Sequence, residues 1–223
     1  LARVLGMGCW TPVERLGVAP GWTAGEPDAD GAFDVAFGGA LQGRVRWDLL
    51  GHHNRMNALA AIAAARHAGV PAHVAIDALA RFRNVRRRME VRGVVAGVTV
   101  YDDFAHHPTA IATTVAGLRS KVGDARILAV LEPRSNTMKL GVMKDQLPAS
   151  LTQADKVFCY AANLGWDARG ALEPIAAKTV VDDDLDALVA AIVAEARDGD
   201  RILVMSNGGF GGIHGKLLTA LAG

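Results

Sequence analysis

The chain is 223 residues long, room for one large domain or two modest ones, and with hydrophobic residues at 51% and aromatics at 5% its interior must be built from Ala, Val, Leu and Ile. That composition favours helices packed on a sheet. Lys and Arg number 24 against 23 Asp and Glu, so no global charge draws the protein onto nucleic acid or a membrane surface.

Cys9 and Cys159 lie far apart in apolar runs and lack metal-ligand spacing, which predicts buried thiols in a reducing, cytoplasmic setting. No apolar run reaches the ~18 residues of a membrane span, and no charged-then-apolar leader opens the sequence. The chain starts at Leu1 and runs straight into a patterned segment, as a portion of a longer polypeptide would.

Residues 1 to about 50 hold short apolar runs at Arg3–Met7, Phe33–Phe37 and Gly43–Leu50, broken by Gly, Pro and Asp. They predict strands of a small sheet, with Pro27–Gly31 the plainest turn. From Leu50 to Gly69 the pattern becomes helical: Asn54 reads as the N-cap, Asn57 falls in the first turn, and Leu59, Ile62 and Ala63 share a face with Arg66 turned elsewhere. Both asparagines also fit plain capping roles. Gly69 and Pro71 end that helix, and a second is expected over Pro71–Arg81 with Val74, Ala75, Ala78 and Leu79 as its apolar stripe.

Arg81–Arg92 carries six arginines against one acid, Glu90. A single aromatic, Phe82, stands among them, too little interleaving to stack a run of bases, so a solvated connector is favoured over a nucleic-acid surface. The division between two parts of the chain falls here, near Arg83–Arg87, where an arginine can also reach a bound phosphate.

Beyond Val91 strands and helices alternate. Val91–Ala96 and Val98–Tyr101 form a hairpin around Gly97, Ala110–Lys121 a helix, and Arg126–Leu131 a buried strand. Lys156–Tyr160 and Thr179–Val181 are further strands, Leu185–Arg197 a helix, Arg201–Met205 the last strand, and Gly212–Leu221 a closing helix. This alternation predicts an α/β fold with a doubly wound, mostly parallel, Rossmann-like sheet.

Three strand-end turns carry the chemistry-bearing side chains, and all should lie along one sheet edge. The first, Tyr101-Asp102-Asp103-Phe104-Ala105-His106-His107-Pro108-Thr109, admits three readings. Asp102, Asp103, His106 and His107 could form a metal site, as in a metal-dependent hydrolase. Asp103 or Thr109 could be a helix cap with the histidines as polar turn residues. A carboxylate could take a ribose hydroxyl while an imidazole approaches phosphate. The second turn is Glu132-Pro133-Arg134-Ser135-Asn136-Thr137-Met138-Lys139, and the third is Ser206-Asn207-Gly208-Gly209-Phe210-Gly211-Gly212. The third is not a P-loop: ahead of Gly215-Lys216 the first glycine position holds Phe210, and Leu217 stands where Ser or Thr is required. It is either a nest of backbone N–H groups suited to an anion or a tight turn.

In this order, Gly51-x-His53-Asn54-x-x-Asn57 before an alanine-rich helix, Arg87-Arg88-Met89-Glu90, and Asp102-Asp103-Phe104-x-His106-His107-Pro108 resemble the Mur ligase family. Members join amino acids or peptides to a UDP-linked muramic acid at the expense of ATP. The resemblance runs from about Gly51 to Ala222 and implies that residues 1–85 end a central ATP-binding domain and 86–223 form the family's carboxy-terminal domain. The Glu132–Lys139 and Ser206–Gly212 runs are most similar to the branch that takes an intact tripeptide. A Pro-His-Arg-Tyr-Thr-Arg loop would mark the alanine-adding branch instead.

The resemblance implies roles by position. Asn54 and Asn57 would serve the nucleotide at its adenine edge, with His53 among the nucleotide-binding residues, Arg88 its ribose or phosphates, Asp103 its ribose hydroxyls, and His106 and His107 its phosphate side. Arg134, Ser135, Asn136, Thr137 and Lys139, with Asn207, Gly208 and Gly209, would hold the incoming peptide. The substrates implied are UDP-N-acetylmuramate and the murein tripeptide, with ATP and Mg2+ as cofactors held mainly upstream in the same chain, and with no nucleic-acid or membrane partner. No catalytic residue and no metal ligand is expected on this stretch, which lacks the phosphate loop and should not ligate alone. A related amide ligase, alanine-adding or of the folylpolyglutamate synthase kind, is the near alternative.

Overall fold

A computed structural model describes residues 2–49 and 51–223. Its chain divides into two compact units, one ending at Asn84 and one running from Val85 to Gly223.

The first unit holds α1 (Ala2–Gly6), β1 (Trp22–Ala24), β2 (Phe33–Phe37), β3 (Ala40–Val45), α2 (His52–His67) and α3 (Ala72–Leu79). The three strands make an antiparallel sheet in the order β1-β2-β3. Trp22, Phe33, Val35 and Val45 of the sheet bury their side chains against Ala58, Leu59, Ile62 and Ile76 of the helices. The expected turn at Pro27–Gly31 is real: Asp28 Oδ1 accepts from the backbone N–H groups of Asp30 and Ala32.

Several expectations need correction here. Arg3–Met7 is not a strand: its residues lie largely within α1, whose side chains from Arg3 onward are exposed and have no strand to pair with. The third strand begins at Ala40 rather than Gly43, because Gly38 and Gly39 both take positive φ (57° and 84°) and close a two-residue hairpin that sets its register. Leu50, the end of the expected run, lies outside the described residues. β1 has only three residues, too few to show a period, and went unseen. On α3 the buried stripe is Ala72, Ala75, Ile76 and Leu79, while Val74 is exposed. Arg66 is not turned away from the apolar elements: its guanidinium lies over the Phe37 ring, 4.6 Å from the centroid, and donates to Glu14 at 2.8 Å.

The second unit holds β4 (Glu90–Val95), β5 (Val98–Asp103), α4 (Pro108–Val122), β6 (Ile127–Leu131), α5 (Asn136–Lys139), α6 (Leu147–Ser150), β7 (Lys156–Tyr160), α7 (Ala168–Ala171), β8 (Thr179–Asp182), α8 (Leu185–Glu195), β9 (Arg201–Met205) and α9 (Ile213–Leu221). Its sheet has six strands in the order β4-β5-β9-β6-β7-β8, parallel throughout except for the β4–β5 hairpin. Ala96 and Gly97 turn that hairpin with φ of 48° and 73°. The fold is α/β, with a mostly parallel sheet covered on both faces, as the alternation of elements predicts.

Period two along the central strands distributes the core. Ile127, Ala129, Leu131, Leu203 and Met205 pack beside Ile111, Val115 and Leu118 of α4. Leu128, Val130, Ile202 and Val204 pack beside Leu188 and Ile192 of α8 and Ile213 and Leu217 of α9. Continuous apolar strands of this kind are those of a parallel sheet buried on both faces. Cys159 is buried on β7, but Cys9 is exposed, which corrects the expectation of two buried thiols. Cys9 follows α1 in a segment of exposed residues, so its apolar neighbours do not cover it.

Candidate functional site

The three polar turns are brought together. In register, Asp103 of β5 and Leu131 of β6 both pair with Met205 of β9, so all three strands run out side by side. Their exits are tied by backbone hydrogen bonds, Ser206 N–H to the Asp103 carbonyl at 3.1 Å and Glu132 N–H to the Met205 carbonyl at 3.2 Å. β9 separates β5 from β6 although it follows both in sequence. Such a change of direction in strand order is where open α/β sheets leave a crevice at their carboxyl ends.

Asp102 and Asp103 belong to β5 itself rather than to the turn after it, and both are 2% exposed. Consecutive strand residues face opposite sides of a sheet, so the two carboxylates serve different partners. Asp103 Oδ2 accepts from Met89 N–H at 2.9 Å, and its Oδ1 accepts from Ala105 N–H at 2.8 Å and the Thr114 hydroxyl at 3.2 Å. The carboxylate expected at a ribose therefore clasps the linker before β4. Asp102 accepts from Arg87 Nε at 3.3 Å and lies 3.3 Å from His214 Nε2 and 3.7 Å from Arg92 Nη1. Burial pushes the His214 pKa down, opposed by the Asp102 charge and reinforced by Arg92 and Arg87.

The linker is strained. Arg87 and Met89 take φ of 61° and 52°, which side chains with a Cβ rarely adopt. Four bonds hold it: Arg87 N–H to Glu90 Oε2 at 2.9 Å, Arg87 carbonyl from Phe104 N–H at 2.9 Å, and the two carboxylate contacts above. The guanidiniums of Arg87 and Arg88 both approach the Phe104 ring, at 5.3 and 6.0 Å.

His107, not Asp103 or Thr109, caps α4: its Nδ1 accepts from Ala110 N–H, and Pro108 opens the helix. His106 Nδ1 lies 2.9 Å from the Phe104 carbonyl, and its ring meets those of Phe104 and His107 edge-on. The metal reading of this turn gains no support from this geometry, because the Asp102 and Asp103 side chains diverge to opposite faces of the sheet and are taken up by separate partners. Among the described residues no group of three or more His, Cys, Asp and Glu is placed to hold a metal ion.

The second and third turns border one cavity of about 280 Å³ lined by Glu132, Arg134, Lys139, Tyr160, Asn163 and Gly211, among others. Arg134 lies directly against the glycine turn: a Cβ at Gly208 would fall 1.7 Å from its Nη1. Ser135 caps α5, accepting from Met138 N–H at 3.3 Å, while Asn136, Thr137 and Lys139 are exposed. Ser206 Oγ donates to Glu132 at 2.6 Å and accepts from Gly208 N–H at 3.0 Å. Asn207 Oδ1 is buried without a hydrogen-bond partner. Tyr160, the last residue of β7, and Asn163 just beyond it were not among the site residues expected from sequence. The available signal was a buried strand running out into Ala161-Ala162-Asn163, where Asn163 takes φ of 58°.

In the first unit, Gly51 rather than Asn54 is the N-cap of α2, with no side-chain bond. Asn54 lies inside the helix and Asn57 one turn later, where Asn57 Nδ2 donates to Asn54 Oδ1 at 3.3 Å. His53 is exposed on the same helix.

A sheet of this order with these turns is that of a known ligase domain. The model of the Mur ligase family described as its glutamate ligase domain matches residues 87–208, and the chain belongs to that family. It is 51% identical, over 100% of its length and 49% of the relative's, to the UDP-N-acetylmuramate–L-alanyl-gamma-D-glutamyl-meso-2,6-diaminoheptandioate ligase of Escherichia coli. It is 48% identical, over 98% of its length and 49% of the relative's, to the enzyme of the same name from Haemophilus influenzae. A crystal structure of a murein peptide ligase from Psychrobacter arcticus superposes with a TM-score of 0.75 at 41% identity, covering 99% of this chain and 49% of that one. The chain thus spans about half the length of the relatives it matches. Among the described residues, no helix is long and apolar enough to cross a membrane.

Proposed function

We propose that this chain is the carboxy-terminal portion of an ATP-dependent ligase that joins L-Ala-γ-D-Glu-meso-diaminopimelate to UDP-N-acetylmuramate in peptidoglycan recycling. One observation carries the reading: the 51% identity to a ligase of that name extends along the whole chain and so through all three turns. The unit ending at Asn84 would belong to a central ATP-binding domain, and the unit from Val85 to the family's carboxy-terminal domain.

In this reading the muramate carboxylate takes the γ-phosphoryl group of ATP, the α-amine of the tripeptide attacks the carbonyl, and phosphate leaves a tetrahedral intermediate. Asn54 and Asn57 would meet the adenine edge, with His53 beside them on the nucleotide, and Arg88, His106 and His107 the ribose and phosphates. Asp103, being buried, would act on the nucleotide through the linker it clasps. ATP and magnesium would be held chiefly by upstream residues.

Arg134 and Lys139 would take carboxylates of the peptide, with Ser135, Asn136, Thr137, Asn207, Gly208 and Gly209 around them. Two cations beside the single acid Glu132 suit a peptide that carries several carboxylates, and the guanidinium can grip one of them with two bonds. Among groups that hold a substrate without reacting, gains come from orientation of amine and acyl carbon. A reducing, cytoplasmic setting belongs to the same reading and accords with two free cysteines.

The test is amide formation by the full-length enzyme with ATP, UDP-N-acetylmuramate and a panel of amines. Tripeptide should be the preferred amine. Use of free alanine with tripeptide ignored would move the protein to the alanine-adding branch.

A further inference from the structure

One charged group of the second unit reaches from the strained linker to the glycine turn. Arg87 Nη2 donates to the Ser206 carbonyl at 2.5 Å, while its Nε donates to buried Asp102 at 3.3 Å. The bonds continue beyond Ser206. Its hydroxyl donates to Glu132 Oε2 at 2.6 Å and accepts from Gly208 N–H at 3.0 Å. Glu132 lines the cavity, and Gly208 carries the guanidinium of Arg134 against its Cα.

We infer that Arg87 is a positioning residue for the peptide pocket: through Ser206 it sets Glu132 and the seat of Arg134. The inference rests on the proposed ligase reading for what fills the pocket, not for the bonds themselves.

Three features distinguish this arrangement from generic stabilisation. Arg87 is held in a left-handed backbone conformation, so its side chain is aimed rather than drifting. Asp102, with Arg92 and His214 also facing it, fixes the other end of the guanidinium. The planar fork lets one side chain hold a carboxylate and a carbonyl at once, which an ammonium on a flexible stem does poorly.

The decisive experiment uses the full-length enzyme with Arg87→Met, Arg87→Lys, Glu132→Gln and the Arg87→Met/Glu132→Gln pair. Arg87→Met should raise KM for tripeptide about tenfold while KM for ATP stays within about twofold, with Arg87→Lys recovering part of the loss. The double variant should be little worse than the poorer single one, because both break one chain of bonds. Multiplicative losses, or an equal rise in both KM values, would overturn the inference. If the unsubstituted enzyme uses no tripeptide, the ligase reading fails separately, and amide hydrogen exchange at Gly208 judges the chain of bonds. Faster exchange in Arg87→Lys and in Glu132→Gln upholds it, and unchanged exchange in both refutes it.

Discussion

The carboxylate of Asp103 receives the backbone N–H of Met89 at 2.9 Å, pinning a residue of positive φ to the end of a central strand. Ala105 N–H and the Thr114 hydroxyl fill the rest of that carboxylate. Asp103→Ala would leave three donors without their acceptor and release the strained linker. A loss of about 3 kcal/mol is expected, at the upper end for buried donors left unmade. Urea unfolding should show a lower midpoint with an unchanged slope. A midpoint equal to that of the unsubstituted protein would show that the linker is held some other way.

Gly208 and Arg134 separate binding from stability. An added methyl at Gly208 meets the far end of a flexible side chain, so Gly208→Ala should displace the guanidinium with a stability change under about 1 kcal/mol. In the full-length enzyme KM for the peptide should rise roughly tenfold. A large fall in Tm with KM unmoved would remove Arg134 from the binding surface.

His214 confers a pH dependence whose sign is fixed by its depressed pKa. Above its ordinary value of 6.5 the imidazole is neutral in folded and unfolded chains, and no penalty arises. As pH falls below that value the unfolded chain takes up a proton more readily than the folded one, so stability declines. Replacement by Gln should flatten the drop in urea midpoint between pH 7.5 and 5.5, relative to the unsubstituted protein. Parallel profiles for the two proteins would assign the drop to other groups.

Cys9 and Cys159 should differ sharply towards iodoacetamide. Burial pushes the Cys159 thiol up to about 12, whereas Cys9 is exposed. At pH 8 the folded protein should gain its adduct at Cys9 alone, and Cys159 should react only after denaturation. Rapid labelling of Cys159 in the native state would contradict its place between β6 and β8.

The parallel sheet was legible because its strands are unbroken apolar runs separated by helical spacing: Lys156–Tyr160 and Arg201–Met205 lie where the pattern puts them. The joining of the three turns was legible too, since parallel strands release their loops on one side. What stayed hidden depends on contacts between distant residues. That Asp102 and Asp103 are buried and taken up by partners within the chain follows from Arg87, Met89 and His214, none of which announces its partner in sequence. His107 was passed over as a cap because Ser, Thr, Asp and Asn are the usual choices there. In the first unit Arg3–Met7 misled because a short apolar run fits helix and strand alike, and no neighbouring strand decided the matter.

The placement of β9 between β5 and β6 bears on how the protein is made. A ribosome delivers β5, β6, β7 and β8 before the strand that joins the first two, so the nascent sheet exists as two separate ribbons until Arg201–Met205 emerges. Neither ribbon can bring its exit loop beside the other's. A stalled or prematurely terminated product ending before that strand would therefore expose the apolar flanks of β5 and β6 to chaperones and proteases.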